Sequence, residues 1–157
     1  MKPIFVTIAL AFATLPVLAQ TPEPSVHTSA ELAQVETRIL AAAQASPSGT
    51  ANQQMDTLPN SYTILVARVH TGDAELHKLY ADQMVIVHGT LTLVTGGTLT
   101  TPHALPDQPN EIRSPGLEGG KEITLNPGDI ARVPAGIPHW VKLAPGTTVT
   151  YLVFKQK

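Results

Sequence analysis

The chain has 157 residues, of which 43% are hydrophobic, and this suits a single domain with a substantial core. Twelve acidic residues face ten basic ones, and no Lys/Arg cluster could follow a phosphate backbone, so the composition excludes a nucleic-acid partner. Cysteine is absent, which excludes disulfides and thiolate metal sites.

The first nineteen residues predict a signal peptide. They combine a positive start at Lys2, an apolar run over residues 4–15 and a small-residue cleavage signature ending at Ala19. The alternatives are a buried helix or a membrane anchor, but the run is short for a span and no charged residue follows it. We therefore expect removal of residues 1–19, a periplasmic or secreted location, and no membrane association afterwards.

Residues 20–60 predict a linker followed by one helix. The first eight of them are rich in Pro and Thr, which is typical of a tether. Thr28 and Glu31 have the spacing of a capping box, and apolar residues recur at helical intervals over residues 30–45. We expect the apolar stripe of this helix to pack against the following domain or against a second subunit.

Residues 61–157 predict a β domain, because short strand-like runs alternate with turn residues and no helical pattern intervenes. A Pro- and Gly-rich segment, residues 102–121, is expected to be a long loop acting as a lid or a binding loop, or to be disordered. The predicted strands are Tyr62–His70, Glu75–Tyr80, Met84–His88, Thr90–Thr95, Glu122–Leu125, Ile130–Val133, His139–Leu143 and Thr147–Phe154.

The most specific pattern joins Gly128, Pro134, Gly136 and His139 in the spacing G-x5-P-x-G-x2-H. Pro134 ends a strand, Gly136 lets the backbone turn, and His139 opens the returning strand. This spacing resembles the second motif of the cupin superfamily. The resemblance implies a mainly-β fold, a cupin-type jelly-roll β-barrel in a single domain, with the N-terminal helix outside it.

A first cupin motif is expected upstream, in the form G-x5-H-x-H-x(3,4)-E-x6-G. The spacing fits from His77 through Asp82 to Gly89, but Glu75 stands in place of the first His and Asp82 in place of the Glu. The resemblance implies that these residues and His139 form the metal site.

The residue types are compatible with that reading. Glu75 and His77 are two apart on a strand and so share a face, Asp82 follows a tight turn, and His139 enters from another strand. Two imidazoles and two carboxylates suit a divalent ion such as Fe, Mn, Zn or Ni. Such an ion binds substrate or water and polarises it as a Lewis acid.

Other polar residues have weaker predictions. Arg68 and His70 share one face of their strand; if that face is inward, Arg68 would bind an anionic ligand group, whereas His70 is expected at the rim. His88 is expected to be exposed. Trp140 alternates with His139 and is expected to point away from the site, and Met84 to line the pocket.

These patterns lead to three hypotheses. The first is an exported cupin that binds a divalent metal and a small organic ligand, as a metal-dependent oxygenase or related enzyme. The second is a non-catalytic module binding a sugar or an organic acid, and the third is a metal-free structural barrel. Because exposed sheet edges need covering, we also expect a homodimer.

Overall fold

The computed structural model describes residues 24–157, so the predicted signal peptide, residues 1–19, lies outside the described residues. Among the residues described, no helix combines the length and the hydropathy needed to cross a membrane. The elements are α1 (Ser29–Ala45), β1 (Thr50–Leu58), β2 (Ser61–Arg68), β3 (Ala74–His77), β4 (Ala81–His88), β5 (Leu91–Thr95), β6 (Thr98–Leu99), β7 (His103–Leu105), β8 (Gln108–Ser114), β9 (Leu117–Glu118), β10 (Lys121–Leu125), β11 (Ile130–Val133), β12 (His139–Lys142) and β13 (Val149–Gln156).

Helix α1 begins with the predicted capping box. The Thr28 hydroxyl accepts the Glu31 N–H at 3.2 Å, and the Glu31 carboxylate accepts the Thr28 N–H at 2.8 Å. Ile39 and Ala43, on the apolar stripe, are buried in a cluster that includes Leu65 of β2. The helix therefore packs on the sheet of its own chain, which confirms one of the two expected positions.

Two antiparallel sheets form the body of the domain. One has the strand order β1-β2-β13-β4-β11, the other β10-β5-β12-β3-β8-β7, and β6 pairs separately with β9. Met84 and Val153 of the first sheet share one buried cluster with Leu93 and Val141 of the second. The sheets thus pack face to face around a common core, which confirms the expected mainly-β architecture with one helix.

Strand β1 is the first departure from the sequence prediction, which placed no strand before Tyr62. It pairs along its whole length with β2, from Thr50 opposite Arg68 to Leu58 opposite Ser61. Asn52 and Gln54 on this strand line the interior cavity. Because one face of β1 lines a polar cavity, the strand lacks the apolar alternation by which strands are recognised.

The segment 102–121 is the second departure, since it was expected to be a loop. It contains the hairpin of β7 and β8, and β8 pairs with β3, from Ala74 opposite Ser114 to His77 opposite Glu111. Pro109 is tolerated within β8 because the residue is exposed at the outer part of the hairpin. The hairpin extends the second sheet and brings its own side chains next to β3.

The carboxylate of Glu36 joins α1 to the first sheet, and replacing Glu36 is expected to lower the free energy of unfolding. Its carboxylate accepts the hydroxyl of Thr150 at 2.6 Å and pairs with Nδ1 of His88 at 2.7 Å. Glu36→Ala leaves the buried Thr150 hydroxyl without this partner, so the free energy of unfolding should fall by about 1–3 kcal/mol. Urea denaturation tests this, with Gln34→Ala, an exposed position on the same helix, as the control that should change little.

Candidate metal centre

Three strands place the predicted residues at one point in the interior. Glu75 and His77 lie on β3, His139 at the start of β12 pairs directly with Glu75, and Asp82 lies at the start of β4. His77, His139 and Asp82 are 2–3% exposed. All four side chains turn inward, as the strand alternation predicts.

The side-chain donors of this group are close enough to share one ion. One ligand atom from each of Glu75, His77 and His139 lies within 4.8 Å of the others. Nε2 of His77 is 3.4 Å from Oε2 of Glu75 and 3.2 Å from Oδ2 of Asp82. Nε2 of His139 is 3.7 Å from the same Asp82 oxygen. The Glu/His group could therefore hold a metal ion.

His77 is held by a residue that the sequence analysis missed. Its Nδ1 contacts the carboxylate of Glu111 on β8, and its buried Nε2 lies within ion-pair distance of Asp82 and Glu75. Burial lowers the pKa of His77, but the carboxylates of Asp82, Glu111 and Glu75 outweigh it and raise the pKa to about 10. Without a metal His77 is therefore protonated at neutral pH, and a metal ion would displace the proton of Nε2 while Glu111 keeps its contact with Nδ1.

Glu75 is held by two guanidinium groups on one oxygen. Nη2 of Arg68 is 2.6 Å from Oε1, and Arg113 pairs with the same oxygen. Burial opposes ionisation, yet His77 and the two arginines hold the pKa of Glu75 well below its usual range. The carboxylate is therefore ionised, and Oε2 remains free to face the histidines.

Asp82 forms an ion pair with Lys155. The buried ammonium of Lys155 lies 2.7 Å from Oδ1 and 2.9 Å from Oδ2. Against the effect of burial, His77 and Lys155 lower the pKa of Asp82. Lys155 was also missed, although alternation along β13 from the inward Tyr151 and Val153 could have found it.

His139 is in the form that binds metals. Burial lowers its pKa, so its imidazole is neutral near pH 7. Its Nδ1 is 3.4 Å from the carbonyl oxygen of Ile137. A donor set of two imidazole nitrogens and one carboxylate oxygen fits a divalent first-row ion. Lys155 competes for Asp82, so His77, His139 and Glu75 form the better set.

The candidate site opens into a cavity of about 1020 Å³. Met84 and Val141 line it, as predicted. Arg68 also faces inward, but Nε donates to the Tyr151 hydroxyl at 2.9 Å and Nη2 to Glu75, so its guanidinium is already engaged. His70 is exposed at the rim of the cavity, as expected.

Two further expectations concern His88 and Trp140. The side chain of His88 is 69% exposed, as predicted, although it pairs with Glu36. The prediction that Trp140 points away from the site is wrong. Its indole N–H donates to the carbonyl of Gly72 at 2.7 Å, and the residue lines the cavity. This contact gives the half-buried indole N–H the acceptor that a Trp N–H usually has.

Gly72 leaves no room for a side chain beside Arg68. A Cβ built on Gly72 would lie 2.5 Å from Nη1 of Arg68, which Tyr151 and Glu75 hold in place. Gly72→Ala should therefore lower the free energy of unfolding by about 1–3 kcal/mol in urea denaturation. In an Arg68→Met background Gly72→Ala should lower the free energy of unfolding by less, since the flexible Met side chain can move aside. An equal cost in both backgrounds would show that the Arg68 contact is not the cause.

Structural comparison identifies the fold. Over 71% of this chain, oxalate oxidase superposes with a TM-score of 0.50 at 15% identity, and the Thermus thermophilus protein TT1209 with a TM-score of 0.51 at 18% identity. These proteins have cupin-type folds. The chain has the cupin fold. The superposed part makes up 53% of the oxalate oxidase chain and 86% of TT1209, so the chain spans about half the length of oxalate oxidase.

Other comparisons add little to this cupin assignment. Peruvianin-I, a cysteine peptidase from Thevetia peruviana latex, superposes with a TM-score of 0.50 at 12% identity, over 71% of this chain and 64% of that one. None of the family models or curated proteins compared with the sequence matches it. Identities this low establish the cupin fold alone, and one fold hosts many activities.

Proposed function

We propose that this chain is an exported cupin that binds one divalent metal ion through His77, His139 and Glu75. The ion acts on a small organic ligand in the cavity. One observation carries the proposal: ligand atoms of Glu75, His77 and His139 lie within 4.8 Å of one another in the interior, and Nε2 of His77 lies beside Oε2 of Glu75. Two imidazoles and one carboxylate brought together in this way suit a divalent first-row ion.

Each neighbouring residue has a defined task in this proposal. Glu111 accepts the Nδ1 proton of His77 and orients the ring, so Nε2 would be the ligand atom once the ion displaces its proton. Arg68 and Arg113 hold Oε1 of Glu75 and leave Oε2 for the ion. Asp82, kept ionised beside Lys155, serves as a fourth ligand or as a base toward the ligand. When bound, the ion supplies Lewis-acid polarisation of the ligand or of water.

The reaction class we favour is that of a metal-dependent oxygenase or a related oxidoreductase. Two histidines and one carboxylate with open positions are the donor set of non-haem iron oxygenases. The structural likeness to oxalate oxidase is compatible with this class but establishes only the fold. Iron, manganese, zinc and nickel all suit the donors.

A non-catalytic binding protein is the second candidate. Arg68 already neutralises Glu75, and Lys155 already neutralises Asp82, so the buried carboxylates have cations without any metal ion. A cavity of about 1020 Å³ with polar walls could then hold a sugar or an organic acid by hydrogen bonds alone.

Metal titration and turnover separate these candidates. Protein freed of metal and titrated with Mn²⁺ or Fe²⁺ is expected to bind one ion per chain by calorimetry and elemental analysis. Oxygen uptake with a panel of small organic acids then tests for turnover. Turnover that survives in His139→Ala would contradict the proposed mechanism, and a metal content near zero in the wild-type protein would favour the binding protein.

Export and dimer formation remain part of the proposal. Residues 1–19 have the pattern of a signal peptide, and Ile123 of β10 and Ile130 of β11 are 50% and 64% exposed on strands at the edges of the two sheets. Cell fractionation should find the protein outside the cytoplasm without residues 1–19. Light scattering should give twice the monomer mass; a monomer mass would refute the dimer.

Glu111→Gln tests the support given to His77. The amide cannot accept a proton from Nδ1 as strongly as the carboxylate does, so metal affinity should fall about 10–100-fold. Glu122→Gln on β10 is the matched control, because Glu122 is 57% exposed and pairs only with Lys142 in the described part of the chain. Calorimetric titration with Mn²⁺ measures both variants, and equal affinities would show that Glu111 does not position the ligand.

A further inference from the structure

Binding of a divalent ion would raise the net positive charge of the cavity lining. Arg68, Arg113 and Lys155 face the three carboxylates of the site, Glu75, Asp82 and Glu111. The remaining acid of the lining, Asp73, is exposed at the rim. A divalent ion would add two positive charges and displace one proton from His77, so the net charge of the buried residues would rise by one. An anionic group is the natural counter-charge in a partly closed cavity.

Arg113 is the cation best placed to meet such an anion. Arg68 and Lys155 have side chains only 7–8% exposed and are held by their partners, whereas the side chain of Arg113 is 27% exposed to the cavity. Arg68 already neutralises Glu75, so Arg113 is a second cation on the same oxygen. Within residues 24–157 its side chain makes no other ion pair or hydrogen bond, which leaves most of its five guanidinium N–H donors available.

The backbone fixes Arg113 beside the metal site. Arg113 on β8 pairs with Glu75 on β3, and Glu111 on the same strand pairs with His77. Residues two apart on a strand share a face, so the hairpin of β7 and β8 presents one residue to the histidine and the other to the cavity. The inserted hairpin thus both completes the metal site and lines the space above it.

We propose that Arg113 binds the carboxylate of a small organic acid and so determines the ligand class of this cupin. The inference rests on the proposed function, because the ion supplies the excess charge. A guanidinium binds a carboxylate through two parallel N–H bonds, which also orients the acid toward the ion. The cavity of about 1020 Å³ accommodates acids of a few to a dozen heavy atoms.

The test is calorimetric titration of Mn²⁺-loaded protein with glycolate, malonate and the neutral analogue glycolamide. Wild-type protein should bind at least one of the acids and discriminate against the amide. Arg113→Met should weaken acid binding at least about tenfold, since it removes a charge-assisted bidentate contact. The acid affinity of Arg113→Lys should lie between those of wild type and Arg113→Met. Arg132→Met, at an exposed position of β11 outside the cavity lining, is the matched control and should bind as wild type.

Separate Mn²⁺ titrations distinguish failure of this inference from failure of the proposed function. Wild-type protein that binds no Mn²⁺ contradicts the proposed function. Normal Mn²⁺ affinity in both wild type and Arg113→Met, with equal acid affinity, overturns the role of Arg113. If Arg113→Met loses Mn²⁺ because Glu75 has lost a partner, Arg113→Lys, which keeps a cation beside Glu75, decides: acid affinity equal to that of wild type in this variant overturns the role of Arg113. Failure of both acids to bind Mn²⁺-loaded wild-type protein overturns the ligand class.

Discussion

Replacing His77 with Ala is expected to abolish stoichiometric binding of a divalent ion. Structural zinc sites in zinc-finger peptides bind with about 10–16 kcal/mol through four ligands, which is about 3 kcal/mol per ligand, so loss of one ligand should weaken ion binding at least about a hundredfold. Nε2 of His77 lies 3.4 Å from Oε2 of Glu75 and 3.2 Å from Oδ2 of Asp82, at the centre of the proposed ligand set. Elemental analysis and calorimetry with Mn²⁺ measure the effect.

The control for this prediction is His70→Ala. His70 is an exposed histidine at the cavity rim, and Nδ1 contacts only the carbonyl of Thr71 in the described part of the chain. The His70→Ala variant should bind one ion per chain, as the wild-type protein does. A His77→Ala protein that is folded by circular dichroism and keeps a full ion would contradict the ligand assignment. His139→Ala provides a second test should the first variant fail to fold.

Removing the carboxylate of Asp82 is expected to destabilise the metal-free protein strongly. Lys155 is 6% exposed and its ammonium is 2.7 Å from Asp82, so Asp82→Ala leaves a buried charge without a partner. Breaking a buried ion pair in this way typically costs about 3–5 kcal/mol. Denaturation in urea should show this loss, whereas Asp73→Ala, an exposed acid at the cavity rim, should have little effect.

A second substitution shows whether the pair itself is responsible. Asp82→Ala combined with Lys155→Met removes both charges and should recover most of the lost stability, because no unpaired charge remains in the interior. If the double variant is as unstable as Asp82→Ala alone, the loss comes from another contact of Asp82. The coupling free energy from the four proteins separates these explanations.

The sequence predicted the four inward residues of the site because alternation and motif spacing act over short distances. Glu75 and His77 share a face on one strand, and the Pro134 and Gly136 turn delivers His139 to the strand that pairs with β3. The same reasoning located the helix and the strands from Tyr62 onward, except β6 to β9, which lie between residues 98 and 118. That these four residues bind a metal ion is a prediction, which metal titration tests.

Glu111 and Arg113 could not be predicted, because their role depends on pairing between distant segments. They lie in a Pro- and Gly-rich stretch that has no apolar alternation, and only the contact between β8 and β3 brings them to the site. Strand β1 was not predicted for a related reason. Asn52 and Gln54 line a polar cavity, so the sequence of β1 lacks the alternating apolar residues that indicate a strand.

The most direct test is a crystal structure of protein loaded with Zn²⁺, with the ion located by anomalous scattering. The proposed site predicts one ion about 2.0–2.2 Å from Nε2 of His77, Nε2 of His139 and Oε2 of Glu75. An empty centre in crystals grown with saturating Zn²⁺, or an ion bound only at the surface, would contradict it.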